Sequence, residues 1–323
     1  MPMTRRQTLG AGAALATPAM AQGQPAWPAR PIRLLVPFAA GGAADSAART
    51  VTPRMGERLG ATFVVENRTG AGGSLGGGEV ARSAPDGYTL LWDASSHMVN
   101  HALLRGLPFD YTTAFLPISL AVTFPQVIAV KADFPARTLA EFIERARARP
   151  ATLNIGTQGN ATAGHLGLAM FMRRAGIEVQ HVPYRGGADA ARDLAAGNLD
   201  GVFITALSAG PIVDSGRARF LAVAAAERLA NRPEVPTIAE SGYPGFDISE
   251  WAALFAPAAT PPAIAERLHA ALAETLREPE VRARLAQLGA VPVGSSPAEF
   301  ARFLAEGRAA MTTLVREANI RID

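Results

Sequence analysis

Residues 32–45 read Ile-Arg-Leu-Leu-Val-Pro-Phe-Ala-Ala-Gly-Gly-Ala-Ala-Asp, and the fold class follows from this stretch. Leu34 to Phe38 is a short apolar run with β-branched and aromatic content, the pattern of a buried strand. Pro37 sits at its end, where a missing ladder donor costs little. Gly41 and Gly42 break the strand. From Asp45 onward Ala47, Val51, Met55 and Leu59 recur at helical steps. The order is therefore strand, glycine turn, helix start. The first turn of a helix carries unpaired N–H groups and the positive end of its dipole. Glycine lets an anion approach that backbone closely. An ordinary βα turn has the same appearance, so these residues alone leave both readings open.

The junction recurs along the chain. Phe63 to Val65 reads as a second strand running into Glu66-Asn67-Arg68-Thr69-Gly70-Ala71-Gly72-Gly73-Ser74. Tyr88 to Trp92 follows the turn Pro85-Asp86-Gly87 and ends in Asp93-Ala94-Ser95-Ser96-His97. Further strands are expected at Ile118 to Val122, Val127 to Val130, Leu153 to Ile155, Gly201 to Thr205, Phe220 to Ala224 and Trp251 to Phe255. Thr138 with Glu141 and Ser296 with Glu299 have helix-capping spacing, and Thr260 with Pro261 marks another helix start. Alternating strands and helices imply an α/β fold with a mainly parallel sheet, whose ligands sit beyond the carboxyl ends of the strands. Two groups of βα units with a return segment suggest two lobes and a cleft. The crossover is expected near Thr123 to Gln126 and the return near Ala225 to Val235. That gives lobe 1 as residues 22–125 plus 226–323 and lobe 2 as 126–225.

The first residues read as a transport address. Thr4-Arg5-Arg6-Gln7-Thr8-Leu9 is a twin-arginine pattern, a Gly/Ala-rich segment follows, and Ala19-Met20-Ala21 fits a small-x-small cleavage site. Residues 1–21 are thus expected to be a bacterial export signal, cut before Gln22, by the twin-arginine route or by ordinary secretion. The apolar part is too short for a membrane span. The formal charge of +3 falls to +1 when Arg5 and Arg6 leave with the signal. Lys131 is the only lysine among 31 basic residues, and the arginines are scattered, which argues against nucleic acid. With no cysteine there is neither a disulfide framework nor a thiolate metal site.

Complete catalytic and cofactor patterns are missing. The glycine run 70–78 lacks G-x-G-x-x-G spacing because position 75 is Leu, and no P-loop occurs. His97 and His101 are four apart, but without H-E-x-x-H they read as partly exposed polar histidines rather than metal ligands. No Ser-x-x-Lys pair exists, and Gly72-Gly73-Ser74-Leu75-Gly76 matches G-x-S-x-G only by letter inside the glycine run, so a hydrolytic nucleophile is unsupported. No metal and no cofactor is expected. His165 either donates to a bound carboxylate or caps and packs. Asp45 and Arg49, four apart, form a helical pair. The favoured reading is that Asp45 caps the helix and holds the glycine turn open; the other is that it accepts from a ligand ammonium.

Taken in order, the junctions resemble the receptors of tripartite tricarboxylate transporters, the Bug-type periplasmic solute-binding proteins. The matching stretches include Trp27-Pro28-Ala29-Arg30-Pro31-Ile32-Arg33, Val36-Pro37-Phe38 with Gly41-Gly42 and Asp45, and Val64-Val65-Glu66-Asn67-Arg68 with Gly70-Ala71-Gly72-Gly73. Ala84-Pro85-Asp86-Gly87-Tyr88-Thr89-Leu90, Gly159-Asn160 with His165-Leu166, and His181-Val182-Pro183-Tyr184-Arg185-Gly186 continue the series. Trp251 with Leu254-Phe255-Ala256-Pro257 and Pro279-Glu280-Val281-Arg282 complete it.

The resemblance implies a two-lobed, type II-like periplasmic binding protein, a monomer. It would close on a small carboxylated solute and deliver it to inner-membrane permease subunits. It implies that backbone N–H groups and small hydroxyls of two loops hold the carboxylate: Phe38, Ala40, Gly41, Gly42, Ala43 and Asp45 in one, Asn67, Gly72 and Gly73 in the other. Ser95 and Ser96 end the third strand beside them. The second lobe would supply Gly159, Asn160, Thr162, His165, Tyr184, Thr205 and Ser208. Many relatives have Pro-Pro where this chain has Ala39-Ala40, Asp-Asn where it has Ile204-Thr205, and Glu where it has Ala169. Loss of an acidic side chain removes an acceptor for a ligand ammonium. Amino acids are therefore expected to bind less well than simple di- or tricarboxylates or aromatic acids. A sensory receptor for the same ligand, and a secreted enzyme on a similar scaffold, are the competing readings.

Overall fold

The computed structural model describes residues 27–160 and 162–317; the export signal expected at 1–21 lies outside the described residues. The first elements are β1 (Ile32–Val36), α1 (Ala43–Leu59), β2 (Phe63–Asn67), α2 (Ser74–Ala81), β3 (Thr89–Ala94), α3 (Ser96–Leu103) and β4 (Phe115–Lys131). Next come α4 (Leu139–Ala148), β5 (Asn154–Thr157), α5 (Ala163–Ala175), β6 (Gln180–Pro183), α6 (Gly187–Ala195), β7 (Gly201–Thr205), α7 (Ala206–Asp214) and β8 (Ala218–Val223). The chain ends with β9 (Ser249–Pro257), α8 (Pro262–Thr275), α9 (Pro279–Gln287), β10 (Val291–Pro292) and α10 (Pro297–Glu317).

The strands form one sheet in the order β2-β1-β3-β9-β4-β7-β5-β6, with β8 and β10 also on β4. β1 runs parallel to β2 and β3, and β5 runs parallel to β6 and β7. β9 is antiparallel to both β3 and β4, so β3 runs in the direction of β4. β7 is antiparallel to β4. The carboxyl ends of the two parallel groups therefore point at each other across the middle of β4.

Two strands flanking a break at Phe124-Pro125 were expected; β4 is instead continuous over 17 residues. Its pairing explains why proline does not break it. Pro125 opposes Ser249 in the last step of the β9 ladder, and Gln126 opposes Thr205 in the first step of the β7 ladder. The missing N–H falls where the strand changes partners.

Each half has apolar packing on both faces, as a sheet sandwiched between helices requires. In the first half Leu34, Val51, Leu254 and Leu272 pack on one face, and Leu91, Trp251, Phe255 and Phe300 on the other. In the second half Ile128, Phe171 and Phe203 oppose Val127, Leu194 and Ile204 in the same way. Ile238, Phe246 and Ile248 join the core that contains Phe171, although a boundary at 225/226 assigned them to the first half. The chain stays because Ile238 N–H donates to Val223 O at 2.8 Å and Ile248 N–H to Ala224 O at 2.7 Å. Thr260 does not cap α8; its hydroxyl donates to Pro257 O and closes the turn after β9.

Candidate functional site

The decisive stretch folds as strand, turn and helix. Asp45 lies inside the first turn of α1, behind Gly42, and its carboxylate is 2% exposed. Oδ2 reaches back to accept from Gly41 N–H at 2.8 Å, and Oδ1 accepts from Asn67 Nδ2 at 2.9 Å. Arg49 Nε lies 3.0 Å from both oxygens, and Arg49 Nη2 donates to Asn67 Oδ1. Asn67 Nδ2 also donates to Phe38 O at 3.0 Å. Burial pushes the Asp45 acid up, but Arg49, the Gly41 amide and Asn67 together hold it below the usual carboxylate range. Asp45 thus ties the turn from within the helix, and both its oxygens are engaged by the protein. Gly41 N–H points at Asp45. The first-turn amides of Ala43 and Ala44 have no acceptor within the helix. Ala40 is exposed beside the turn.

The second loop is fastened to the first and to α3. Gly73 takes φ +90°, and a Cβ there would lie 3.4 Å from both Pro37 and Ser96 Oγ. Asn100 Nδ2 donates to Gly72 O at 2.8 Å and lies 3.1 Å from the Tyr111 hydroxyl. Ser96 Oγ is buried with no hydrogen-bond partner among the described residues. His97 corrects its expectation: it is fully buried, stacked on Phe255, with Nδ1 2.9 Å from Asp93 Oδ2. Among the described residues no group of three or more His, Asp or Glu is arranged to hold a metal.

In the second half the expected side chains mostly bind one another. Thr162 flanks α5, accepts from His165 N–H and donates to Gly159 O at 2.8 Å. Thr205 flanks α7, accepts from Ser208 N–H, and lies 2.9 Å from Ser208 Oγ. The Tyr184 phenol donates to Asp193 at 2.7 Å; burial and that carboxylate push its acid up to about 12. Asn160 is exposed at the loop tip. His165 stacks on His181 with ring centroids 4.0 Å apart. Burial lowers both histidines, His181 to about 4, so the pair is neutral at neutral pH.

Glu250 was not anticipated. It stands in β9 opposite Phe124, where the chain crosses back to the first half. Its Oε1 accepts from Ser95 N–H at 3.0 Å, Ser95 Oγ at 2.5 Å and Trp251 N–H at 3.1 Å. Ala163 N–H, at the start of α5, also faces the carboxylate. Burial pushes this acid up despite those donors. The residue is largely buried. A cavity of about 1020 Å³ is lined by Ser95, Ala163, Leu166, Met170, Trp251 and Phe303, among others. Of the expected ligand residues only Ser95 lines it.

The profile of the tripartite tricarboxylate transporter family receptor matches residues 47–320. The chain belongs to that family. It is 34% identical to protein BugT of Bordetella pertussis, over 92% of this chain and 91% of that protein. Rhodopseudomonas palustris Rpa4515, solved with adipate, is 32% identical, with a TM-score of 0.82 over 91% of this chain and 99% of that one. MatC of the same species, solved with bound malate, is 32% identical, with a TM-score of 0.78 over 90% and 100%. The family is one of periplasmic solute-binding receptors, not of catalysts.

Proposed function

We propose that this receptor holds a small carboxylate between its lobes and presents it to the permease subunits of an inner-membrane transporter. One observation carries the reading: the starts of α1, α2 and α3 lie side by side, fixed by Asp45, Asn67 and Asn100. Facing them across the middle of β4 are the starts of α5, α6 and α7. Helix starts bring N–H donors and positive dipole ends, so backbone rather than lysine or arginine would meet the ligand's charge. The bound adipate and malate of two relatives support the ligand class.

We assign lobe 1 to residues up to 125 and again from 249, and lobe 2 to 126–248, since Ile238, Phe246 and Ile248 pack with the second core. The protein would act as a monomer in the periplasm after removal of residues 1–21. A ligand at 100 times its Kd stabilises a receptor by about 2.7 kcal/mol. A thermal-shift screen of mono-, di- and tricarboxylates should therefore find acids that raise Tm. A screen in which no acid does so rejects the proposal.

A further inference from the structure

We propose that Glu250 sets ligand choice: as the protein's own carboxylate seated between the starts of α3 and α5, it makes the receptor favour acids with one carboxylate and an uncharged, hydrogen-bond-donating far end over dicarboxylates. The inference rests on the carboxylate reading above and deepens it.

Glu250 already uses the donors that a second ligand carboxylate would need. Ser95 gives it both N–H and Oγ, and Ala163 N–H comes from the other lobe. Among the described residues no Arg, Lys or His lies within ion-pair distance of it, 4.0 Å. Its charge is therefore met by dipoles alone. Its neighbours Ser95, Ala163, Ser249 and Trp251 line the cavity, and Glu250 keeps part of its own surface.

The position is also next to the proposed anion-binding loops. Ser95 adjoins Ser96, whose Oγ faces Gly73 in the second glycine loop. An acid anchored on the helix starts of lobe 1 has Glu250 within reach of its distal end. A second carboxylate there meets like charge with little water between them. An amide or hydroxyl meets an acceptor. Glu250 also supplies an acidic acceptor of the kind that Ala169 and Ile204 no longer provide.

The test is calorimetric titration of the full chain at pH 8 with matched pairs: succinate and succinamate, glutarate and glutaramate, adipate and adipamate. In the wild type the monoamide of the best-fitting length should bind at least tenfold more tightly than its diacid. E250Q should bring that ratio below threefold. The wild-type ratio stands by itself should the variant fold poorly. A wild type that binds the diacid as tightly as the monoamide overturns the inference while leaving carboxylate binding intact. A ratio unchanged in folded E250Q also overturns it. If none of the six compounds nor any other carboxylate binds either protein, the carboxylate reading itself is overturned, and this inference with it.

Discussion

The side-chain amide of Asn67 donates to Asp45 Oδ1 at 2.9 Å, joining residues 22 apart in sequence. This bond fastens the end of β2 to the first turn of α1, so two separate βα junctions become one rigid surface. Replacing Asp45 with Asn removes the charge that holds Gly41, Arg49 and Asn67 together. D45N should lose about 2 kcal/mol in urea unfolding, the range for hydrogen bonds to a charged group. The pH dependence has a definite sign. The Asp45 acid is lower in the folded protein than its ordinary 3.8, so its contribution is complete above 3.8 and is lost as pH falls through the folded value. The stability gap between wild type and D45N should close on acidification below 3.8; a gap that widens there contradicts the network.

Among the described residues, buried Ser96 Oγ has no hydrogen-bond partner. Removing an unsatisfied hydroxyl costs little stability. S96A should unfold within about 0.5 kcal/mol of wild type while binding its carboxylate about tenfold or more weakly, as expected for a lost hydrogen bond to a charge. Unchanged affinity in titration would remove Ser96 from the ligand's partners.

Gly41 and Gly73 separate backbone strain from contact with the loop's neighbours. Both have positive φ, +78° and +90°, but an added Cβ meets nothing within 4 Å at Gly41, and meets Pro37 and Ser96 at 3.4 Å at Gly73. G41A should cost about 1–2 kcal/mol, the conformational penalty alone. G73A carries the same penalty and also fills the space beside Ser96 Oγ. It should weaken ligand binding in titration more than G41A does.

His181 is held at about 4 by burial and by the neighbouring His165. The unfolded chain therefore binds more protons than the folded one between the ordinary value near 6.5 and about 4. Stability should rise with pH across that window and level off above it. H181Q, whose amide extends to the position of the Nε2 that meets Thr157 Oγ1, should flatten the slope in denaturant melts taken from pH 4 to 7.

The strand-glycine-helix junctions were legible because period and punctuation are local signals. β7 has the limits its apolar run suggests, and the other parallel strands differ only at their ends. Local signals misled at Pro125, where proline usually ends a strand but here sits between two ladders. They were silent about Asn100 and Glu250. The Glu250 contact with Ser95 spans 155 positions, and only the sheet order brings β9 beside β3. The hydroxyls of Thr162 and Thr205 were read as ligand donors from the resemblance. Each flanks a helix and accepts from the amide three residues on, a pattern visible in the spacing itself.

β4 never leaves the sheet on its way from one core to the other. A ribbon that keeps a ladder partner from end to end resists sharp folding at a point, but it can coil more or less tightly about its own axis. Any gape of this receptor must then be taken up as torsion along a shared spar, with β9 wound beside it. Torsion of that kind recoils. The empty protein should settle at one preferred aperture rather than wander, and a guest that shuts it would leave against a spring already wound to reopen.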